Sequence, residues 1–441
     1  MSSICFCNGN AAWGGGEAWH LNAARSLAKR GLRTLLLCRP GSALYKRARL
    51  EKSMEVYPFA PGRLSFLNPL YLLRLTRFLR KQEVGALIMN LSSDLKAAGP
   101  AALRAGVKHV VYRRGSDLPV RDSLFNRLLY GRVITRLIVN SQATLRSVLA
   151  RNPGLVDAGR VSVLPNGIDC AAFDAALAEA LAARVSPCAD RQPRQRAVDS
   201  DQSRGQVSLR VDGVHMNYPD DERRGQASPC AGGEPRPEPE VFVIGNAGRL
   251  DRQKGQQFLL YLARSLKNAA FPFRLIIAGA GRREAGLKAL AGELGVDNEV
   301  RFAGFMENLA PFWAEIDLFM LSSLWEGFGS VVLEAGLAQK PVFAFRVSNL
   351  PELIFEGENG RLFPLPANGA DAACADIAGA SDAVARAIIK AAGDPEELRR
   401  MGRRGRELAL GYSQEACMEA LLRLMPEMCA TRGNTAADPC M

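Results

Sequence analysis

The feature that most constrains the fold of this chain is a series of short apolar runs that alternate with helical patterns. The runs suit strands that are buried on both faces, and the segments between them show the period of amphipathic helices. Such alternation is typical of a parallel sheet covered by helices. In the first half the predicted strands are 4–7, 34–38, 86–89, 107–112 and 137–139, and the first predicted helix is 18–29.

The alternation breaks after Phe173 and returns further along the chain. Residues 185–240 are rich in Arg, Asp, Gln, Pro and Ser without sustained periodicity, which indicates a flexible insertion or linker. Strand patterns resume at 241–244, 275–278, 300–302, 318–321 and 342–344. A length of 441 residues also favours two domains. We expect an α/β fold with doubly wound Rossmann-like domains over 1–180 and 241–380, and C-terminal helices over 381–441 that brace the first domain.

Composition favours a globular cytoplasmic protein without a metal. Hydrophobic residues make up 48% and charged residues 23%, and no apolar run approaches the ~18 residues of a membrane span. Residues 1–9 lack the charged start and long apolar core of a signal peptide. The ten cysteines are scattered, and Cys5 and Cys7 share one face of a predicted strand, so we interpret them as free thiols. Three histidines and no CxxC pair leave a zinc site few ligands.

The positive charge is concentrated in the first half. Of the net +12, residues 1–175 carry 26 Lys and Arg against 10 Asp and Glu, a balance of +16, and the remainder carries 31 against 35, a balance of −4. A surface with this bias attracts phosphate-rich partners, among them an anionic membrane, an acidic glycolipid or nucleic acid.

A glycine-rich turn follows the first predicted strand. Gly14, Gly15 and Gly16 stand between that strand and the first helix, where backbone N–H groups can approach an anion closely. The turn is not GxGxxG, and the second strand ends at Arg39 rather than at an acid, which disfavours an NAD site. An NADP-type site with Arg39 on a phosphate stays open, as does a tight turn with no ligand.

The second half has a more specific motif after its first strand. Gly248 and Arg249 are followed by Lys254 and Gly255, which sets two cations near a strand-to-helix loop. Arg can chelate phosphate oxygens bidentately and Lys adds a point charge, the combination wanted around a diphosphate. The next strand ends in Gly279, another position where backbone can approach a ligand.

Two carboxylates follow a later strand. Glu326 lies in the loop after the strand predicted at 318–321, and Glu334 lies about one turn inside the next helix. The helix start offers free N–H groups to a phosphate, while Glu334 can accept from ribose hydroxyls and Glu326 can reach a sugar. The residues between the carboxylates that we assign to ligand binding are Phe328, Gly329, Ser330 and Val331. The alternative is that these residues bind no ligand. Glu326 and Glu334 would then be solvated carboxylates near a helix N-terminus, and Arg249 and Lys254 would be ordinary surface cations.

With these motifs in order, the chain resembles the family 4 glycosyltransferases of GT-B fold over nearly everything except the insertion. The stretches 164–169, 317–322, 349–353 and 357–361 are also similar to that family. The resemblance implies two Rossmann-like domains facing a central cleft, and retaining transfer from a nucleotide sugar without a metal or other cofactor. It implies that Arg249 and Lys254 stabilise the departing diphosphate, that Glu326 and Glu334 position the donor, and that the first-half glycine loop closes against the phosphate or acceptor.

The chain departs from the family at the strand predicted over 107–112. Many members carry a histidine at the end of that strand, where this chain has Arg113 and Arg114, with Asp117 three positions later. We assign these three residues to the acceptor side, either in place of the imidazole or as contacts to an anionic acceptor.

The acceptor and membrane side is inferred from a helix that begins with the Asn68-Pro69 cap signal. Arg74, Arg77 and Lys81 share a face beside an apolar stripe, which suits an anionic bilayer or an acidic glycolipid, although a helix packed on the sheet explains the pattern equally. We expect a saccharide or lipid-linked acceptor of lipopolysaccharide type at the inner face of a membrane. No nucleic-acid motif accompanies the charge.

Two other functions remain open at this point. A catalytically silent GT-B scaffold that binds nucleotide or partner proteins is consistent with the missing histidine. A sugar-nucleotide epimerase has a similar fold, but the Glu326 and Glu334 motif argues against it. Asp199 and Asp201 imitate the metal-binding DxD of another glycosyltransferase fold, and we dismiss them because no strand precedes them.

Overall fold

The computed structural model describes residues 2–62, 64–185, 241–366 and 374–428. The insertion predicted at 185–240, with Asp199 and Asp201, lies outside the described residues except for residue 185, which ends a helix. The domain limits given above therefore stay predictions.

The first half forms a parallel sheet in the order β3-β2-β1-β4-β5-β6-β7. Its strands are β1 (Ser3–Asn8), β2 (Thr34–Cys38), β3 (Glu55–Pro58), β4 (Val84–Met89), β5 (His109–Arg114), β6 (Arg136–Val139) and β7 (Val161–Val163). Side chains alternate across β1, so that Ile4 and Phe6 enter one core cluster while Cys5 and Cys7 enter the other. The free-thiol interpretation of Cys5 and Cys7 is confirmed, since both are unpaired and buried.

The second half forms another parallel sheet, in the order β10-β9-β8-β11-β12-β13. Its strands are β8 (Phe242–Ala247), β9 (Phe273–Ala278), β10 (Val300–Gly304), β11 (Leu318–Leu321), β12 (Val342–Phe345) and β13 (Gly360–Phe363). The central strands β9, β11 and β12 are almost wholly buried, because helices cover both faces of the sheet.

Helices connect the strands and close the chain. They are α1 (Gly15–Lys29), α2 (Ala43–Ala48), α3 (Pro69–Lys81), α4 (Ser92–Ala105), α5 (Leu124–Leu128), α6 (Gln142–Leu149), α7 (Cys170–Val185), α8 (Gln257–Asn268), α9 (Glu284–Glu293), α10 (Ala310–Glu315), α11 (Ser330–Leu337), α12 (Leu350–Leu353), α13 (Cys374–Ala392), α14 (Pro395–Leu410) and α15 (Gln414–Arg423). The predicted cap of α3 is present, since the Asn68 side chain accepts a hydrogen bond from the N–H of Tyr71.

The last helices contact both halves of the chain. Met418 and Leu421 of α15 lie in the same core cluster as Trp19 of α1, while α14 packs against α11 in the second half. Arg406 of α14 forms a bidentate pair with Asp174 of α7 at 2.7 and 2.8 Å. The C-terminal segment thus crosses from the second sheet to the first.

Each sheet has a point where the strand order reverses, between β1 and β4 and between β8 and β11. Ligands of open parallel sheets bind at the carboxyl ends of the strands beside such a point. The α/β architecture with two doubly wound halves is confirmed, and it brings the loops after β1, β8 and β11 into the positions where a ligand is expected.

Candidate active site

A buried ion pair connects the loops that follow β8 and β11. The ammonium of Lys254 lies 2.6 Å from Oε1 of Glu326, and their side chains are only 15% and 6% exposed. Ser323 donates its hydroxyl to the same carboxylate oxygen at 2.5 Å. The two residues, 72 positions apart in sequence, are therefore brought together as one charged unit at the carboxyl end of the sheet.

Glycines allow these loops to pack backbone against backbone. Gly255 has a φ of +59°, and a Cβ there would overlap the carbonyl oxygen of Ser322. Gly279 has a φ of +143°, and a Cβ there would overlap the carbonyl oxygen of Gly248. Because only glycine tolerates both the conformation and the close approach, the strand ends can converge around Lys254.

Arg249 lies at the mouth of the same loop, apart from the buried pair. Its side chain is 63% exposed, 3.3 Å from the carboxylate of Asp251 and 3.1 Å from the amide oxygen of Gln253. The guanidinium is thus held at the surface by two weak partners and can turn towards an anion.

The helix α11 starts without a side-chain cap. Gly329 precedes it with a φ of +69° and no side chain, and the helix begins at Ser330 and Val331. The first N–H groups of a helix lack partners within the helix and carry partial positive charge. Phe328 is buried beside this turn, and a Cβ on Gly329 would lie 3.9 Å from Cγ of Glu326, so the uncapped end is close to that carboxylate.

Glu334 lines a cavity one turn inside α11. The cavity has a volume of about 220 Å³. Its other lining residues are Phe173, Ala176, Glu307, Asn308, Leu309, Ala310 and Trp313. Burial raises the pKa of the Glu334 carboxyl to about 7, so the group can hold a proton near neutral pH.

In the first half, the glycine turn after β1 forms the start of α1. Gly14 is the residue before the helix, and a Cβ on Gly15 would meet nothing within 4 Å. A Cβ on Gly16 would lie 2.5 Å from the amide nitrogen of Asn90, so the backbone is close to that side chain. Arg39, considered above for an NADP phosphate, donates Nε to the Gly9 carbonyl at 2.8 Å.

Arg113 is buried beneath this turn. It is 1% exposed, donates to Asn90 at 3.1 Å and to the Asn166 side chain, and its guanidinium lies 4.1 Å from the centre of the Trp19 ring. Burial lowers its pKa to about 9. Arg114 instead donates to the Leu118 carbonyl at 2.5 Å. An acceptor contact by Arg113 in this conformation would require displacement of its partners.

The Arg113 contacts continue into the second half. The amide of Asn166 donates to the hydroxyl of Ser330 at 3.3 Å, so Arg113 and the N-terminus of α11 are connected through one side chain. Asn140 donates to the Gly327 carbonyl at 2.9 Å. Asp117, the third residue assigned to the acceptor side, is partly exposed. Neither Asn140 nor Asn166 is predicted from sequence to have a role, although Asn166 lies in the 164–169 stretch that resembles the family.

The sequence matches family models over most of its length. One model, described as glycosyl transferases group 1, matches residues 234–408, and another, described as Glycosyltransferase Family 4, matches residues 13–172. The chain belongs to the family 4 glycosyltransferases. The resemblance inferred from the motifs is confirmed, and the matches contain the Lys254 and Glu326 loops and the first-half glycine turn.

Curated relatives of this family 4 chain include a lipopolysaccharide core biosynthesis glycosyltransferase, LpsE of Rhizobium meliloti (strain 1021). It is 31% identical over 184 residues, which are 42% of this chain and 49% of the relative. The putative glycosyltransferase EpsD of Bacillus subtilis (strain 168) is 32% identical over 180 residues, 41% of this chain and 44% of the relative. The chain spans about half the length of the curated relatives it matches.

Solved structures share the GT-B fold over nearly the whole chain. Anabaena HepE in complex with UDP and glucose has a TM-score of 0.69 at 19% identity and covers 97% of this chain and 100% of its own. The lipopolysaccharide outer core galactosyltransferase WaaB has a TM-score of 0.62 at 16% identity, and the match covers 97% of this chain and 99% of WaaB. These similarities support the fold that the two sheets display.

Neither a membrane-spanning helix nor a cluster of metal ligands is found among the described residues. Among the helices that the structure describes, none combines the length and apolar character needed to cross a bilayer. Within the described ranges, no group of three or more His, Cys, Asp or Glu side chains is arranged to hold a metal ion. The expectation of a metal-free reaction stays a prediction.

Proposed function

We propose that this chain transfers a sugar from a nucleotide-sugar donor to a saccharide or lipid-linked acceptor with retention of anomeric configuration. The observation that carries the proposal is the buried Lys254 and Glu326 pair, 2.6 Å apart, beside the uncapped N-terminus of α11. A diphosphate at that helix end would meet backbone N–H groups and an ammonium together.

The cations would act on the leaving group. Breaking the bond between the sugar and the diphosphate leaves negative charge on phosphate oxygens, and charge stabilisation where it develops is usually the largest catalytic contribution. Lys254 is fixed next to the helix end, while Arg249 is exposed and free to fold over the phosphates. Gly15 and Gly16 would approach the same phosphates or the acceptor from the first half.

The carboxylates would orient the donor. Glu334 lines a cavity of about 220 Å³ below the helix start, a space suited to part of a nucleoside, so its carboxyl would contact ribose hydroxyls. Glu326, four residues before the first residue of α11, would contact the sugar. In this proposal base, ribose, diphosphate and sugar follow one another along the strand ends.

The relatives suggest the acceptor class. Two lipopolysaccharide core biosynthesis glycosyltransferases of Rhizobium meliloti (strain 1021), LpsE and LpsD, are 31% and 28% identical to this chain over part of its length. We therefore infer a saccharide or glycolipid acceptor of the cell envelope. HepE in its solved complexes binds UDP, which makes UDP-sugars the first donors to test.

Donor binding is tested by thermal stabilisation, because a ligand that binds only the folded state raises the melting temperature. The panel contains UDP-, GDP-, ADP- and CMP-sugars with the free nucleotides. We expect a shift with one nucleotide class, lost in Lys254→Ala. The matched control is Lys288→Ala, because Lys288 forms an ordinary 2.8 Å surface pair with Glu284.

Turnover separates the transferase from the other candidates. Release of free nucleotide that depends on an added saccharide or glycolipid acceptor supports transfer, whereas binding without turnover would favour the silent scaffold. Interconversion of the donor sugar with no acceptor would favour an epimerase. Absence of any shift in a folded sample would contradict the donor site itself.

We further infer that the first half contacts an anionic membrane through a surface we call the leucine patch. It consists of the exposed residues Leu64, Leu67, Leu70, Leu73, Leu124, Phe125 and Leu128. The rings of Phe66 and Phe125 lie 5.4 Å apart and join its two segments. Arg74 and Arg77 are exposed on the same helix as Leu70 and Leu73, so charge accompanies the apolar surface.

Vesicle sedimentation tests the leucine patch. Vesicles that contain phosphatidylglycerol should retain the protein, and vesicles of phosphatidylcholine alone should retain less. Replacement of Leu67 and Leu70 by Ser should lower binding, while Leu410→Ser, at an exposed leucine of α14, should not. Equal sedimentation with both vesicle types, or no effect of the patch substitutions, would exclude this surface.

A further inference from the structure

A carboxylate of the second half caps a helix of the first half. The two oxygens of Glu352 accept hydrogen bonds from the backbone N–H groups of Gln142 and Ala143, at 2.9 and 2.7 Å. These are the first two N–H groups of α6, and the third, that of Thr144, is taken by the Ser141 side chain at 3.0 Å. Two of the first three N–H groups of α6 are therefore capped by a side chain of the other half.

The same turn of the first half also contacts the donor loop. Asn140 is adjacent to the cap residue Ser141, and its amide donates to the Gly327 carbonyl. Its side-chain oxygen accepts from the Thr144 hydroxyl at 2.8 Å, which fixes the direction of the amide. Residues 140–144 thus contact the second half at two points, Gly327 and Glu352.

The segment around Glu352 contacts the donor loop from within the second half. The backbone N–H of Glu326 donates to the Ser348 hydroxyl at 3.1 Å, and the Asn349 amide donates to the Phe328 carbonyl at 2.8 Å. Ser348 adopts a φ of +48°, a left-handed conformation that residues with a side chain rarely adopt. The strained turn is maintained where it contacts the loop that carries Glu326.

We propose that Glu352 is a positioning residue that couples contact between the two halves to the geometry of the donor loop 326–330. The inference rests on the proposed function, because it assigns Glu352 to the same site. When α6 binds the Glu352 carboxylate, residues 348 and 349 are held against the donor loop, and Asn140 of the first half holds the same loop at Gly327. The hydrogen bonds and ion pairs of the Glu352 side chain within the described part of the chain connect it to residues 142, 143 and 146, all in the first half.

The expected consequence is a loss of turnover without a loss of nucleotide affinity. The side chains assigned to the nucleotide, those of Arg249, Lys254 and Glu334, all lie in the second half, whereas a small displacement of the reacting groups lowers the rate strongly. We expect Glu352→Ala to lower kcat about ten- to a hundredfold, and to change the Kd for the free nucleotide by no more than about twofold. Glu352→Gln keeps one acceptor oxygen and should retain intermediate turnover.

Arg146 provides the matched control. Its guanidinium lies 3.9 Å from Glu352 and its side chain is 73% exposed, so Arg146→Ala removes a weak ion pair but leaves both N–H contacts. Its kcat should stay within about twofold of the wild type. A loss of turnover in Arg146→Ala equal to that in Glu352→Ala would overturn the assignment to the backbone contacts.

Hydrogen exchange gives a readout that does not need activity. In the full-length protein, Glu352→Ala should speed exchange at Gln142 and Ala143, and also in the peptide that covers 326–330, with unchanged exchange in the core of β9. Faster exchange at 142–143 alone, with the donor loop unaffected, would overturn the coupling. A wild type without turnover would count against the proposed function, and the exchange comparison would still decide whether Glu352 holds the loop.

Discussion

Removing Lys254 should destabilise the protein as well as inactivate it. At 2.6 Å, two unit charges attract by about 6 kcal/mol at an effective dielectric constant of ~20, and burial of an unpaired partner costs about 3–5 kcal/mol. Because the Lys254 side chain is 15% exposed, we expect a cost at the lower end of this range. Lys254→Met should therefore lower the free energy of unfolding by about 3 kcal/mol, since it leaves Glu326 buried without its cation.

A double substitution separates stability from catalysis. Lys254→Met with Glu326→Gln removes both charges, and the glutamine can still accept from Ser323, so stability should return to within about 1 kcal/mol of the wild type. Turnover should stay about a hundredfold or more below wild type, because the charge that stabilises the leaving group is absent.

The assay pairs urea unfolding, followed by tryptophan fluorescence, with release of nucleotide from the donor. Lys288→Met is the control. It should lower the free energy of unfolding by at most about 0.5 kcal/mol, because the pair with Glu284 lies at the surface. The reasoning is refuted if Lys254→Met unfolds at the wild-type urea concentration, or if the double variant is no more stable than the single one.

Two further predictions follow from burial and backbone geometry. Because burial raises the pKa of Glu334 from 4.5 to about 7, its protonated form is favoured in the folded state, and stability is lost as pH rises through this range. Glu334→Gln should thus gain about 3 kcal/mol relative to wild type between pH 4.5 and pH 8, measured by urea unfolding, whereas a difference independent of pH would contradict the burial argument. Gly279→Ala should lower both melting temperature and nucleotide binding, because a Cβ would overlap the Gly248 carbonyl. Gly286→Ala in α9, where a Cβ meets nothing within 4 Å, should instead be neutral or stabilising, and similar melting temperatures for the two variants would refute the claim.

The central strands of both sheets could be predicted from sequence, and the strands that were missed lie at sheet edges. β3 and β7 are the two edges of the first sheet, and β13 is one edge of the second. Their residues are mostly half-buried, so they lack the continuous apolar run that marks a strand covered on both faces. Periodicity therefore detects the buried strands of a parallel sheet, and of the four edge strands it detects only β10, which is predicted at 300–302.

At the candidate site, the sequence indicates which residues have suitable chemistry but not their burial or their partners. Lys254 and Glu326 were assigned separately, and their direct pairing follows from the convergence of two strand ends 72 residues apart. Arg249, assigned to the same task, is exposed at the mouth, while Arg113, assigned to the acceptor side, is 1% exposed and held by asparagines. Residue type indicates which chemistry is available, but burial and partner geometry depend on contacts that are distant in sequence.

The contacts between the halves show why some functional residues carry no sequence signal of their own. Glu352 binds backbone N–H groups of α6, and Asn140 binds the backbone carbonyl of Gly327, so neither contact requires a particular side chain on the other partner. Every residue has a backbone N–H or carbonyl group, so the spacing of residue types in a motif cannot reveal a contact to such a group. Both Glu352 and Asn166 nevertheless lie in stretches, 349–353 and 164–169, that resemble the family but had no chemical role assigned to them. Because each of these two residues contacts the opposite half, we infer that such stretches record the geometry between halves, whereas the charged motifs record the chemistry within one of them.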